Sequence, residues 1–197
     1  MIRIVVPYTK EVLDSVVYEY QAVYWPFQFV FLSLALLALY LIWKNDIKNN
    51  KFIIVILAAF WFWLGAIYEI NYYTTINWFG LYIGAAFILQ GLLFLWFGLV
   101  KKSVVFVKSR SSVIAALLLV LGYPLLQLLS SSHHFEISMI GMLPNITAAF
   151  SWILLFMTTQ KRVKTLFVIP LAWSAFSLYW SYLLAFNVLE VSNSFVG

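Results

Sequence analysis

Between Pro26 and Asn187 the basic residues fall into only three short clusters, and the stretches between them are long and apolar. A helix that crosses a bilayer needs ~17–25 mostly apolar residues. Six stretches qualify, roughly 26–43, 53–70, 78–100, 113–130, 137–158 and 165–187. The connections are 44–52, 71–77, 101–112, 131–136 and 159–164. Only 10% of the 197 residues are charged and 64% are hydrophobic, whereas a soluble domain carries about 25% charged residues. The bilayer is therefore the expected solvent along the whole chain, with no room for a separate soluble domain. The expected fold is all-α and integral to the membrane. It comprises a six-transmembrane-helix bundle over 25–188, an extracytoplasmic N-terminal segment over 1–24 and a short extracytoplasmic tail over 189–197.

Charge sets the expected orientation. The three clusters hold Lys44, Lys48 and Lys51, then Lys101, Lys102, Lys108 and Arg110, then Lys161, Arg162 and Lys164, ten of the twelve basic residues. The acids sort the other way, with Asp46 on the basic side and Glu11, Asp14, Glu19, Glu69, Glu136 and Glu190 on the opposite side. Basic loops stay in the cytoplasm, so six crossings leave both termini outside a cell membrane. This distribution accounts for the net charge of +5 without nucleic acid. The lipid bilayer is the expected partner, with a homo-oligomer or another membrane protein left open.

Residues 1–24 do not read as a signal peptide, because Glu11, Asp14 and Glu19 interrupt the apolar run and no small-residue cleavage site follows. From Pro7 onward, Val12, Leu13, Val16, Val17, Tyr20, Val23 and Tyr24 fall on one side, with Lys10, Glu11, Asp14, Ser15 and Glu19 on the other. That pattern predicts a short amphipathic helix lying in the headgroup plane. Pro26 suits the first position of the first crossing helix.

The helices carry few polar groups, and most lie toward the outer half: Gln28, Glu69, Asn71, Asn77, Gln127, Asn145 and Thr147. The inner halves are aliphatic and aromatic. The pattern predicts a polar pocket open to the outside, closed below by apolar packing. Its candidate residues are Glu69, Asn71, Asn77, Gln90, Asn145 and Thr147. An acid inside a crossing helix is costly and marks a proton acceptor, a cation ligand or an ion-pair partner, here for Arg3 or Lys10. Gln90, near mid-membrane, reads as an interhelical hydrogen-bonding group. Ser174, Ser177 and Ser181 recur at helical spacing and are expected to face another helix.

His133, His134 and Glu136 form the histidine cluster and are candidate metal ligands, to which Glu69 could add. Gly80, Gly84, Gly91 and Gly98 form a ridge along the third crossing helix, and small residues four apart let two helix backbones approach closely. The chain has no cysteine, which excludes disulfides and thiolate sites. No haem, retinal or nucleotide signature is present.

Several motifs together carry a family resemblance. They are Tyr24-Trp25-Pro26-Phe27-Gln28, then Trp63-x-Gly65-x-x-Tyr68-Glu69 followed by Ile76-Asn77, then Gln90 and Tyr123-Pro124. His133, Gly141, Pro144-x-x-Thr147 and Ile169-Pro170-x-x-Trp173 complete the set. In order and spacing the chain resembles domain-of-unknown-function family 6064, uncharacterised bacterial multi-pass membrane proteins. The resemblance covers almost the whole length and implies no activity. Members often have histidine at the position of Glu69, and cysteine and proline at those of Asn145 and Ile146. If the family positions hold a metal, this chain's version is altered.

The expectation is a non-enzymatic membrane protein with an outward-facing polar pocket. It would handle a small solute or serve as a subunit of a membrane assembly. The alternative is a metal-dependent enzyme with its site at the outer surface, built on His133, His134, Glu136 and Glu69.

Overall fold

A computed structural model describes residues 8–130, 139–158 and 161–194, and these are almost entirely helical. Helix α1 spans Lys10–Tyr24 and α2 spans Phe27–Lys44. Helix α3, Asn50–Trp63, runs without a break into a π-helical segment, Leu64–Tyr72. Helix α4, Gly80–Leu95, likewise ends in a π-helical turn, Trp96–Val100. Helices α5, Arg110–Leu117, and α6, Tyr123–Ser130, are joined through a third π segment, Leu118–Gly122. Helix α7 spans Pro144–Phe156, and a 3-10 segment, Lys161–Phe167, leads into α8, Val168–Ser194.

Five of these rods are long and apolar enough to cross a membrane: Phe27–Lys44, Ile47–Thr75, Gly80–Val100, Arg110–Leu129 and Lys164–Leu183. Their outward faces are apolar, with Phe29, Leu37, Val55, Leu89, Leu118 and Leu178 all exposed. Apolar side chains turned outward along a crossing helix suit lipid, not water.

The stretch expected as a crossing helix over 137–158 is built differently. Helix α7 has 13 residues, about 20 Å at 1.5 Å per residue, short of the ~30 Å hydrocarbon core. It is entered through a buried turn, in which Gly141 has φ +83° and its N–H donates to Thr147 Oγ1 at 2.7 Å. Thr147 Oγ1 in turn donates to the Leu143 carbonyl. Non-helical backbone inside a membrane protein is tolerated where side chains satisfy it, and Thr147 does so here. A Cβ on Gly141 would stand 2.7 Å from the Phe31 ring, so this turn packs against α2 near its start.

The basic connections meet at one end of the bundle. Asn45 caps α2 in the left-handed region and accepts the Lys108 N–H at 3.2 Å. Asn50 Oδ1 accepts the Phe106 N–H at 3.2 Å, and the Val107 N–H donates to the Met157 carbonyl at 2.8 Å. Loops 44–50 and 101–110 and the end of α7 are thus tied together through their backbones.

Helix α1 covers the opposite end, with Tyr20 and Gln21 fully buried. Leu13, Val17 and Tyr24 also pack inward, while Val12 and Val23, expected on the apolar side, are exposed. The buried stripe follows Tyr20, which accepts the Trp63 indole N–H at 2.7 Å and reaches Met142 Sδ at 3.7 Å.

Candidate functional site

Helices α3 and α4 form an antiparallel hairpin, and the glycines decide how closely it closes. A Cβ on Gly84 would stand 2.7 Å from the Gly65 carbonyl oxygen, and one on Gly65 would stand 2.6 Å from that of Gly84. Further up, a Cβ on Gly80 would lie 3.0 Å from the Glu69 carbonyl oxygen. Gly91 faces the Phe62 ring and Gly98 faces Ile54. The whole ridge is spent inside this chain, against α3 and its π extension.

Within the π segment, Tyr68 and Glu69 are buried in the protein. A π turn bonds residue i to i+5 and shifts the register of side chains around the axis; such turns are rare and concentrate at functional sites. Glu69 is 0% exposed, and among the described residues neither carboxylate oxygen has a hydrogen-bond partner. Lys10, one expected partner, instead pairs with Asp14 at 2.5 Å on the surface. Arg3, the other, lies outside the described residues.

Glu69 lines a cavity of about 170 Å³. The walls come from four places: Tyr8, Leu13 and Val17 near the N-terminus, Tyr68 and Tyr73 beside Glu69, Leu143–Asn145 at the start of α7, and Trp173 to Ser181 on α8. Tyr8 and Tyr73 share a hydrogen bond between their hydroxyls, and their rings meet at 84°. Burial, and then the bond to Tyr73, push the Tyr8 hydroxyl above the usual phenol range, so it stays protonated and neutral. Trp173 Nε1 donates to Asn145 Oδ1 at 2.9 Å and fixes that amide at the mouth. Ser177 and Ser181 add hydroxyls to the wall, and Trp180 Nε1 is a buried donor without a partner among the described residues.

The structure separates the six candidate residues. Glu69 and Asn145 line the cavity. Asn77 Nδ2 touches the Tyr73 hydroxyl at 3.3 Å, one residue removed from it. Thr147 is buried and satisfies the Gly141 turn. Gln90 is buried and donates to the Leu166 carbonyl at 2.8 Å, joining α4 to the segment before α8. Asn71 is exposed. His133, His134 and Glu136 lie outside the described residues, and among the described residues no three His, Cys, Asp or Glu side chains come together.

The aromatic part of the site is not legible in the sequence. Tyr8, Phe176 and Trp180 carry no pattern that sets them apart in the sequence, although Trp173, Ser177 and Ser181 at their helical spacing do mark the α8 face. A family of unknown function, DUF6064, matches residues 10–190. The chain belongs to it. No curated protein and no solved structure matches. The DUF6064 match takes in every lining residue of the cavity except Tyr8.

Proposed function

We propose that this DUF6064 protein is a non-enzymatic, multi-pass membrane protein that binds a small solute in the cavity around Glu69. One observation carries the reading: a fully buried carboxylate with no partner among the described residues lines a space large enough for a ligand. Burying an ionised group without a partner is costly, and a chain keeps such a group where it meets something that arrives. Intramembrane acids mark substrate or ion pathways for this reason.

In this reading α7 and its buried entry turn belong to a sixth passage, although α7 alone is too short to complete it. The basic end faces the cytoplasm. The cavity, at the other end beneath α1, opens outward past Asn145 and Ser181, and both termini lie outside.

The test is a thermal-melt screen of the purified protein against cationic, anionic and neutral small solutes, repeated on Glu69→Gln. Solutes that raise the melting temperature of the natural chain and not of the variant support the pocket. If every stabilising solute acts equally on both, the site is elsewhere.

A further inference from the structure

We infer that the solute is a small organic ammonium cation, held by the Glu69 carboxylate inside an aromatic box. The inference rests on the pocket reading above and adds the ligand's chemical class.

The walls argue for it. Six aromatic side chains line the cavity: Tyr8, Tyr68, Tyr73, Trp173, Phe176 and Trp180. Phe176 and Trp180 stack at 20° and, with Trp173, form the α8 wall. Tyr8 comes from the N-terminal segment and meets Tyr73 at 84° and Trp180 at 49°. Tyr68 and Tyr73 come from the end of the α3 rod and the turn after it, so the aromatic lining is drawn from three places in the chain. A ring face attracts a cation through its quadrupole, and several faces around one space are the usual means of recognising substituted ammonium groups.

Charge narrows the class. Among the described residues Glu69 is the acid in the cavity lining, and Tyr8 is held neutral by burial and its bond to Tyr73. Ionised Glu69 therefore gives this lining one negative charge, which matches a monovalent cation. A hard divalent ion takes six to eight oxygen ligands. Here the side-chain oxygens besides Glu69 are Asn145, Ser177, Ser181 and the tyrosine hydroxyls, with Asn145 Oδ1 already accepting from Trp173. A neutral apolar guest would leave the carboxylate without a partner.

Size sets the scale. An apolar cavity of ~150 Å³ holds benzene, with six heavy atoms, so about 170 Å³ suits a guest of roughly six to eight non-hydrogen atoms.

The experiment is isothermal titration calorimetry on the full chain in maltoside micelles. The probes are tetramethylammonium, choline, the neutral choline isostere 3,3-dimethylbutan-1-ol, potassium and calcium. The expected result is saturable binding of the ammonium probes. The neutral isostere should bind at least about tenfold more weakly, a difference of ~1.4 kcal/mol. Glu69→Gln should reduce ammonium binding by a similar factor. Trp180→Leu should reduce it about three- to tenfold, in line with the loss of one ring face. If Glu69→Gln does not yield monodisperse protein, Trp180→Leu and the isostere ratio decide. Equal binding of the isostere, or Glu69-dependent binding of potassium or calcium alone, overturns the ammonium assignment and leaves the pocket standing. No heat from any probe, together with a cavity-blocking Ser177→Leu variant that behaves like the natural chain in the solute screen, overturns both.

Discussion

If the Glu69 carboxylate serves a ligand and not the fold, as proposed above, replacing it with methionine should make the protein more stable. Both oxygens are buried without a partner among the described residues. An unsatisfied buried polar group costs about 1–3 kcal/mol, and an acid at the centre of a crossing helix costs ~2.5–3.5 kcal/mol, less near the surface. Glu69 lies four residues before Tyr73, where the turn between α3 and α4 begins. At ~1.5 Å per residue that is only about 6 Å of depth, so the lower part of the range applies. Methionine has a similar length, no charge and the freedom to fill an irregular wall, so overpacking is small. A gain of about 1–3 kcal/mol follows, and at ~2–4 °C per kcal/mol for a chain of this size the melting temperature should rise by roughly 2–12 °C. The assay is thermal unfolding in detergent, followed by tryptophan fluorescence without added solute, for the natural chain, Glu69→Met and Glu69→Gln. A saturating ligand should close or reverse the gap by stabilising only the natural chain. If both variants melt lower than the natural chain, the carboxylate has a structural partner, and its burial is no argument for a binding site.

Other outcomes follow from particular contacts. Gly84→Leu should abolish monodisperse expression, since even a Cβ there stands 2.7 Å from the Gly65 carbonyl; size-exclusion chromatography reads this. Gly84→Ala should destabilise by about 1–3 kcal/mol, seen as a lower melting temperature. Thr147→Val should cost about 1–3 kcal/mol by leaving the Gly141 N–H without an acceptor, whereas Thr147→Ser should lose far less. Because the chain has no cysteine, single cysteines at Asn49, Ser111 and Thr75 can be mapped with a membrane-impermeant maleimide. Asn49→Cys and Ser111→Cys should label from the same side, and Thr75→Cys from the other.

The long rods were readable because a crossing helix leaves a plain mark: apolar residues for ~20 positions and basic clusters between them. The expected 53–70 and 78–100 correspond to Asn50–Tyr72 and Gly80–Val100 in the structure. Glu69 also stood out, since an acid in such a run is conspicuous. The π winding around it was not legible, because nothing in Leu64–Tyr72 differs in hydropathy from an α turn. Helix α7 looked long enough because hydropathy counts the residues before Pro144 alike whether they are helical or turned; the positive φ of Gly141 is a backbone fact. Asn71 and Thr147 were grouped with Glu69 by height alone. Their directions around the axis differ: Asn71 faces out, and Thr147 faces the turn that it caps. The aromatic walls depend on contacts across long separations, Tyr8 to Tyr73 and Tyr8 to Trp180, which no local pattern encodes.

Helix α1 is better understood as part of the site than as a membrane-surface anchor. A purely interfacial helix puts its apolar face into headgroups and acyl chains. Here Tyr20 is fully buried in protein, bonded to Trp63, packed at 5.1 Å on Tyr68 and at 5.3 Å on Tyr72, and in reach of Met142 before α7. It therefore touches two of the elements that form the cavity, the π segment and the entry turn of α7. Burial pushes the Tyr20 hydroxyl above the usual phenol range, against the opposing effect of the Trp63 N–H, so it stays a neutral donor and acceptor. Tyr20→Phe keeps the ring contacts and removes both hydrogen bonds; leaving the Trp63 N–H unmet costs about 1–3 kcal/mol. If α1 only anchors the chain to lipid, that change lowers stability and leaves solute affinity as it was. If α1 holds the cavity walls in register, Tyr20→Phe weakens binding of whatever solute the Glu69 screen identifies, while Val23→Ser, a change on the exposed side of the same helix, does not.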